Sequence, residues 1–354
     1  MVSKVETVRK QSEHLFEGGG KRVEILDSLK GLAVIGIFGI HVGVNHSIFT
    51  GYLSALFMHG NLGVEITYII NALLLASQYY KHFGENKNSL KLVFRSILNI
   101  LPIYYLFILT LKHIYTDGLG LVVPNGAVST SLLFVNVFSS DYANFFGGSL
   151  YFSCLVVGWF LYSFYLRYIN NLKKSIICGL VIEALAIWII PEIFANTLDY
   201  AHFQPVSYMC RCIGSFIIGH MIYFIVSTEE YNKIQISQHV KIAVTGYLLF
   251  VILFNRYTSS EFYFIISLLL IINYKKPVFL LNNPILTYLG KRTITIFCWH
   301  ILVYSFMDKY MNADYLYLLV VIVLTLLLSE ITYRVDNIRR KWLKSLPAYK
   351  KYLC

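Results

Sequence analysis

Ten long runs of apolar residues dominate the chain, and each is about as long as a helix that crosses a bilayer. A hydrocarbon core of about 30 Å takes roughly 20 residues of α-helix. The runs lie near residues 29–48, 61–79, 97–115, 149–168, 175–195, 206–226, 239–255, 259–274, 286–306 and 314–333. A further run at 129–138 is too short to cross, so we expect it to be interfacial or re-entrant. The pattern predicts an all-α, polytopic membrane protein with these ten runs as transmembrane helices.

The composition agrees with this pattern and argues against most other classes of protein. Of the 354 residues, 57% are hydrophobic and 14% are charged, and the mean hydropathy is +0.61. An average soluble domain has about 45–50% apolar and about 25% charged residues. The composition therefore argues against a soluble enzyme, a disordered chain and a disulfide-stapled secreted domain.

The basic residues lie at the ends of the apolar runs, where they determine topology. The net charge is +11, but these residues form no stripe interleaved with exposed aromatic side chains, so nucleic-acid binding is not expected. With the N-terminus inside, the inner segments hold most of the Lys and Arg, whereas the outer segments hold only Lys112, Arg256 and Lys309. This asymmetry predicts a multi-pass protein of a cell membrane with both termini cytosolic.

The same pattern divides the chain into three parts. Residues 1–24 are expected to form a cytosolic N-terminal tail, 25–335 the ten-helix transmembrane domain, and 336–354 a basic cytosolic C-terminal tail. No loop is long enough to hold a separate folded domain. Any activity is therefore expected to reside in the helix bundle.

Seven ionisable residues are expected to lie at membrane depth, where a charge costs several kcal/mol unless it is paired or faces water. They are His41, Glu65, Glu183, Arg211, His220, His300 and Glu330. Each is a candidate functional residue. Arg211 and Glu183 fit equally well as an ion pair between neighbouring spans, and His220 and Glu330 fit structural roles near the ends of their helices.

Lys30 and His41 are spaced so that they share one face of a helix. Eleven helical residues turn about 20° past three full turns and rise about 16 Å. A cation at the cytosolic rim with an imidazole near the middle of the bilayer suits an anionic donor whose reactive end reaches inward. The structural alternative is that Lys30 anchors the helix at the interface and His41 hydrogen-bonds within the bundle. His300, beside Trp299, is likewise either functional or part of an interfacial belt.

Soluble-type catalytic motifs do not occur in the sequence. The chain has no Gly-rich phosphate loop, GxSxG elbow, HExxH or CxxC sequence. Cys210 and Cys212 lie two residues apart, but no second pair completes a zinc pattern, so no metal is expected.

The stretch ILDSLKGLAVIGIFGIH at 25–41 is similar to the first-helix signature of the acyltransferase-3 family of integral membrane acyltransferases. That family includes bacterial O-antigen and exopolysaccharide O-acetylases, and its signature is usually Asp-x-x-Arg-Gly-Leu-Ala followed by a His. Asp27, Gly31 and His41 match it, and Lys30 stands where Arg is usual.

Four later fragments resemble the same family in the same order, so the resemblance covers 25–306. They are GNLGVEITYIINALLL at 60–75, FRSILNILPIYY at 94–105, GSLYFS at 148–153 and LGKRTITIFCWH at 289–300. Gly290 and His300 in the last fragment match the family pattern. Ser96 and Asn99 fall where the family has two arginines, and Ser153 falls where it has Glu.

The resemblance implies transfer of an acyl group, usually acetyl from cytosolic acetyl-CoA, to a hydroxyl of a cell-surface or exopolysaccharide glycan or its lipid-linked precursor. Such a hydroxyl has a pKa far above 7, so a base of near-neutral pKa is needed, and imidazole fits. His41 and Lys30 are the expected catalytic residues, with His41 as base or as covalent acyl carrier. Lys30 and Arg95 are expected to bind the phosphates of the donor, and Asp27 to orient Lys30.

On the acceptor side, His300 and Tyr104 are further candidates, with Glu65 and Ser149 in supporting positions. The expected partners are the acyl-CoA donor, the glycan or lipid-linked glycan acceptor and the lipid bilayer. Two other functions fit the same residues. One is a transporter of a glycan or lipid precursor, and the other is a non-catalytic family member in a polysaccharide-assembly complex.

Overall fold

The computed structural model describes most of the chain as helix. The described residues are 21–58, 60–82, 89–139, 146, 148–169, 171–183, 185, 200–254 and 259–347. Within these ranges there is no β-strand. The prediction of an all-α protein is confirmed for this part of the chain.

Fourteen helices are named here in chain order. They are α1 Lys21–Phe38, α2 Gly51–Phe57, α3 Gly63–His82, α4 Ser89–His113, α5 Asn125–Leu132, α6 Ser149–Tyr168, α7 Leu172–Glu183, α8 Tyr200–Val226, α9 Glu229–Lys233, α10 Gln238–Phe254, α11 Ser259–Asn273, α12 Pro284–Lys291, α13 Thr293–Met307 and α14 Tyr315–Ser345. Two of them continue as π-helical turns, α1 through Gly39–Val44 and α4 through Ile114–Gly118.

Among the described residues, five helical segments are long and apolar enough to cross a membrane. They are Ile25–Val44, Ser89–Gly118, Ser149–Tyr168, Pro205–Val226 and Tyr315–Ser345. Shorter apolar helices cover Gln238–Ile252, Glu261–Asn273 and Thr293–Met307. These helices are those of a helical membrane protein. The count of ten spans and the cytosolic placement of both termini stay predictions.

Two predicted spans are found among neither the long nor the shorter apolar helices of the described residues. The segment at 175–195 begins as α7, but its second half lies almost entirely outside the described residues. The segment at 61–79 forms α3, a helix of 20 residues that is less apolar because it contains Glu65, Asn71 and Gln78.

The predicted end of the transmembrane domain at residue 335 falls inside α14. This helix continues without interruption to Ser345, and Asp336 on it is buried against the rest of the protein. The helix therefore extends ten residues into the predicted tail.

Two glycines bring α1 and α12 into backbone contact. A Cβ on Gly290 would overlap the carbonyl of Asp27, and a Cβ on Gly31 would overlap the carbonyl of Leu286. Small residues of this kind allow helix backbones to approach closely in membrane proteins. This contact places the start of α13 beside Asp27 and Lys30, and so forms the site described below.

Candidate functional site

A cavity of about 280 Å³ lies where α1, α12, α13 and α14 meet. Four cationic side chains line it, against two carboxylates. The cations are Lys30, Lys291, Arg292 and Arg340, and the carboxylates are Asp27 and Asp336. The excess of positive charge makes the cavity suited to an anionic ligand.

Lys30 and Asp27 face each other across one turn of α1. Lys30 Nζ lies 3.8 Å from Asp27 Oδ1, and both side chains are largely buried. The expectation that Asp27 orients Lys30 therefore agrees with this geometry. Because Gly290 packs on the backbone of Asp27, the pair is fixed against the start of α13.

Arg292 is held in place by a carboxylate and two aromatic rings. Its Nε donates to Glu330 Oε2 at 2.5 Å, and its guanidinium carbon lies 3.6 Å from the Tyr288 ring centroid and 4.3 Å from that of Tyr333. Glu330 also accepts from Arg334 Nε at 2.6 Å. Glu330 thus pairs with two arginines at the middle of α14, rather than lying near a helix end as the sequence suggested.

The C-terminal half of α14 contacts the first half of α4. Arg339 Nη2 donates to Asn99 O at 3.0 Å and Arg339 Nη1 to Leu98 O at 3.2 Å. Arg340 Nε donates to Asp336 Oδ2 at 2.5 Å. Arg95, predicted to bind the donor, does not line the cavity within the described part of the chain.

His41 and His300 lie side by side. Their ring centroids are 5.6 Å apart, although the two residues are far apart in sequence. His300 is 1% exposed, its Nδ1–H donates to Ile296 O at 3.1 Å, and its Nε2 has no hydrogen-bond partner among the described residues. His41 belongs to the π-helical turn and is half-buried. Turns of this kind often mark functional positions.

One aromatic side chain separates the cavity from the two histidines. Tyr151 lines the cavity, and its ring centroid is 4.7 Å from that of Phe297. The Phe297 ring is in turn 5.5 Å from the His300 ring. A ligand that extends from the cavity toward His41 must therefore displace or pass Phe297.

The histidines continue into a polar cluster on the side away from the cavity. The ring of Tyr304 lies 6.4 Å from His41 and 5.7 Å from His46. His46 Nδ1 is 3.7 Å from Asp308 Oδ1, which accepts from the Tyr317 hydroxyl at 2.5 Å. The sequence reasoning did not identify this cluster. His46 lies only five residues after His41, which was the available signal.

Tyr104 and Ser149 lie in a separate buried network. Tyr104 donates to Ser131 O at 2.8 Å, and Asn136 Nδ2 donates to Ser149 Oγ at 3.1 Å and to Ser131 Oγ at 2.9 Å. Ser153 donates to Asn136 Oδ1 at 3.1 Å. These contacts join α4, α5 and α6, and neither Tyr104 nor Ser149 lines the cavity.

Glu65 and Arg211 form a buried ion pair between α3 and α8. Arg211 Nε donates to Glu65 Oε1 at 2.5 Å, and Nη2 contacts the same oxygen. Glu65 is thus bound to α8 rather than placed in the cavity. The side chain of Glu183, the other partner considered for Arg211, lies outside the described residues.

No family model, no curated protein and no solved structure matches this chain. Among the described residues, no group of three or more His, Cys, Asp or Glu side chains is placed to hold a metal ion. The arguments about function therefore rest on the geometry above and on the resemblance in the sequence.

Proposed function

We propose that this protein is a membrane acyltransferase that moves an acyl group, in the first instance acetyl from acetyl-CoA, to a hydroxyl of a cell-surface glycan or its lipid-linked precursor. One observation carries the proposal. His41 faces His300, whose Nε2 is free, and a single aromatic residue separates this pair from a basic cavity. The five fragments that resemble acyltransferase-3 enzymes support the same reaction.

The chemistry requires a base beside the reacting hydroxyl. His41 takes the proton of the acceptor hydroxyl while the hydroxyl oxygen attacks the thioester carbonyl. The carbon–sulfur bond then breaks, the acyl group stays on the acceptor oxygen, and the proton passes to the departing thiolate. The products are the ester and the free thiol.

The two histidines have different parts in this reaction. Because Nδ1–H of His300 is bound to the Ile296 carbonyl, His300 presents an unprotonated Nε2 on its other side. His300 therefore accepts a hydrogen bond from the neighbouring imidazole or from the substrate. In this role His300 is a positioning residue that fixes the orientation of His41.

Lys30 connects the donor to this chemistry. It lines the cavity, and His41 lies eleven residues further along the same continuous helix, in its π-helical turn. An anionic donor bound in the cavity would extend its acyl end along α1 toward His41.

The proposal is tested by the O-acyl content of the surface polysaccharide in a deletion strain. Complementation with the wild-type gene should restore the acyl groups, and complementation with His41→Ala should not. His113→Ala is the matched control, because His113 is exposed and paired with Asp117 away from the cavity. All three proteins should reach the membrane in equal amounts, as measured by immunoblot.

Two outcomes contradict the proposal in different ways. Equal restoration by wild type and His41→Ala would retain acyl transfer but remove His41 from the mechanism. Unchanged acylation in the deletion strain would favour a transporter of a glycan precursor or a non-catalytic role in polysaccharide assembly.

A further inference from the structure

The four cationic side chains of the cavity differ in how many of their N–H groups already bond to other protein atoms. Arg292 is bound to Glu330 and to the carbonyl of Tyr288, and it is stacked between two rings. Lys30 contacts only Asp27, at 3.8 Å, within the described residues. Lys291 is exposed, with no hydrogen bond or ion pair there. The ammonium groups of Lys30 and Lys291 therefore have N–H groups available to bind a ligand.

Arg340 also keeps donors for a ligand. Asp336 holds its Nε at 2.5 Å, and Asn99 O accepts weakly from Nη2 at 3.4 Å. A guanidinium has five N–H groups, and those on Nη1 make no hydrogen bond within the described part of the protein. Asp336 is 7% exposed, so the arginine side chain is anchored on a buried carboxylate.

We infer that Arg340, together with Lys30 and Lys291, binds the phosphate groups of the donor, so that α14 forms a wall of the donor site. The identity of the donor rests on the proposed function. Asn99 stands where the acyltransferase-3 family has an arginine, and Arg340 reaches the carbonyl of this residue from α14. An arginine from the last helix thus occupies the region where the third predicted span lacks one.

The size of the cavity fits part of such a donor. Pockets that enclose a drug-sized ligand have volumes of about 300–1,000 Å³. A cavity of about 280 Å³ therefore holds the phosphate-bearing portion and leaves the rest of the molecule outside it. Phosphate recognition by Lys and Arg side chains is the chemistry that this lining provides.

Coenzyme A itself is the probe, because it carries the phosphates but no acyl group and binding can be measured without turnover. The full-length protein in lipid nanodiscs is titrated with coenzyme A by calorimetry. Arg340→Ala should raise the Kd by about ten- to hundredfold, the effect of losing one or two charge-assisted hydrogen bonds. Raising the salt concentration should weaken wild-type binding more than binding by this variant.

Arg339 provides the matched control. It shares Asp336 and the Asn99 carbonyl with Arg340, but it does not line the cavity. Arg339→Ala therefore removes the same kind of contact between α14 and α4. It should leave the Kd for coenzyme A within about twofold of wild type. Lys344→Ala, at an exposed residue near the end of the same helix, controls for loss of charge alone.

The outcomes separate this inference from the proposed function. Wild-type affinity in Arg340→Ala would overturn the inference and leave acyl transfer standing. An equal loss of affinity in Arg339→Ala would overturn it too, because the effect would then arise from docking of α14. A wild-type protein that binds no coenzyme A would overturn both proposals. Weakened binding in Arg340→Ala alone, in a protein that transfers no acyl group, would support the inference and contradict the proposed function.

Discussion

Two buried histidines, His220 and His300, are alike in burial and differ in hydrogen bonding. His220 on α8 is fully buried, its Nδ1 accepts from the Tyr162 hydroxyl at 2.7 Å, and its Nε2 is 3.3 Å from Ile169 O. His300 on α13 is equally buried, but its Nε2 has no partner among the described residues. A buried polar atom without a partner costs stability, so its presence calls for a functional explanation.

The two histidines also differ in which side chains surround them and in how near they lie to the basic cavity. His220 is enclosed by aromatic rings, with centroid distances of 4.9 Å to Tyr165 and Phe224, and it does not line the basic cavity. His300 has a second histidine beside it and a basic cavity one aromatic residue away. Burial alone therefore does not separate the two histidines. Hydrogen-bond saturation and access distinguish the two.

The largest expected effect is the loss of acyl-transfer rate when His41 is replaced. His41→Ala should lower the rate of acyl transfer by about 10²–10⁴-fold, the usual contribution of a general base. The free energy of unfolding should change little, because His41 is half-buried and makes no hydrogen bond among the described residues. Initial rates with purified protein and acetyl-CoA measure this. A rate within twofold of wild type would place the base elsewhere.

His300→Phe tests whether the free nitrogen serves activity rather than stability. The phenyl ring fills a similar volume and removes both the unpaired Nε2 and the hydrogen bond from Nδ1 to Ile296 O, two losses of opposite effect, so the free energy of unfolding should change little. The rate of transfer should fall by about tenfold or more, because His41 loses its neighbour. The two quantities are read from denaturant titration and from initial rates. A destabilised protein with a normal rate would reverse our assignment of His300.

His220→Phe should give the opposite pair of results. This substitution removes both hydrogen bonds of the imidazole, so the free energy of unfolding should fall by about 1–3 kcal/mol. The transfer rate per folded molecule should equal that of wild type, because His220 lies away from the cavity. If the rate per folded molecule fell as far as in His300→Phe, the contrast between the two histidines would be lost.

The smallest effect on the transfer rate is expected at Asp308, beside His46. Asp308 is 40% exposed and lies 3.7 Å from His46, so Asp308→Asn should lower the transfer rate by no more than about fivefold. Asp117→Asn, which neutralises an exposed aspartate paired with His113, is the control and should leave the rate unchanged. A loss as large as that of His41→Ala would make Asp308 part of the catalytic machinery.

The sequence predicted local features well because they depend on spacing along one helix. The apolar runs predicted helices, whereas the shared face of Lys30 and His41 stays a prediction, because it assumed α-helical spacing and His41 lies in a π-helical turn. The glycine at 290 was recognised only through the family resemblance, and its backbone contact with Asp27 supplies the physical reason for it.

Contacts between helices could not be predicted, because apolar patterns do not show which helices pack together. The sequence left Arg211 with Glu183 as a possible partner, whereas the structure pairs it with Glu65. The nearness of His41 to His300 depends in the same way on how α1 packs against α13. The π-helical turn at Gly39–Val44 was also missed, because one extra residue in a turn leaves no mark in an apolar pattern.

The backbone contact between α1 and α12 determines how inactive variants of this protein must be interpreted. A methyl group on Gly31 or Gly290 has no space and would push the two helices apart. This displacement would separate Lys30 from the start of α13 and distort the cavity. In a saturation screen for lost activity, both glycines would therefore score as severely as His41, although neither has a side chain that could take part in the reaction. Thermal stability, measured beside activity, would separate these architectural positions from the chemical ones.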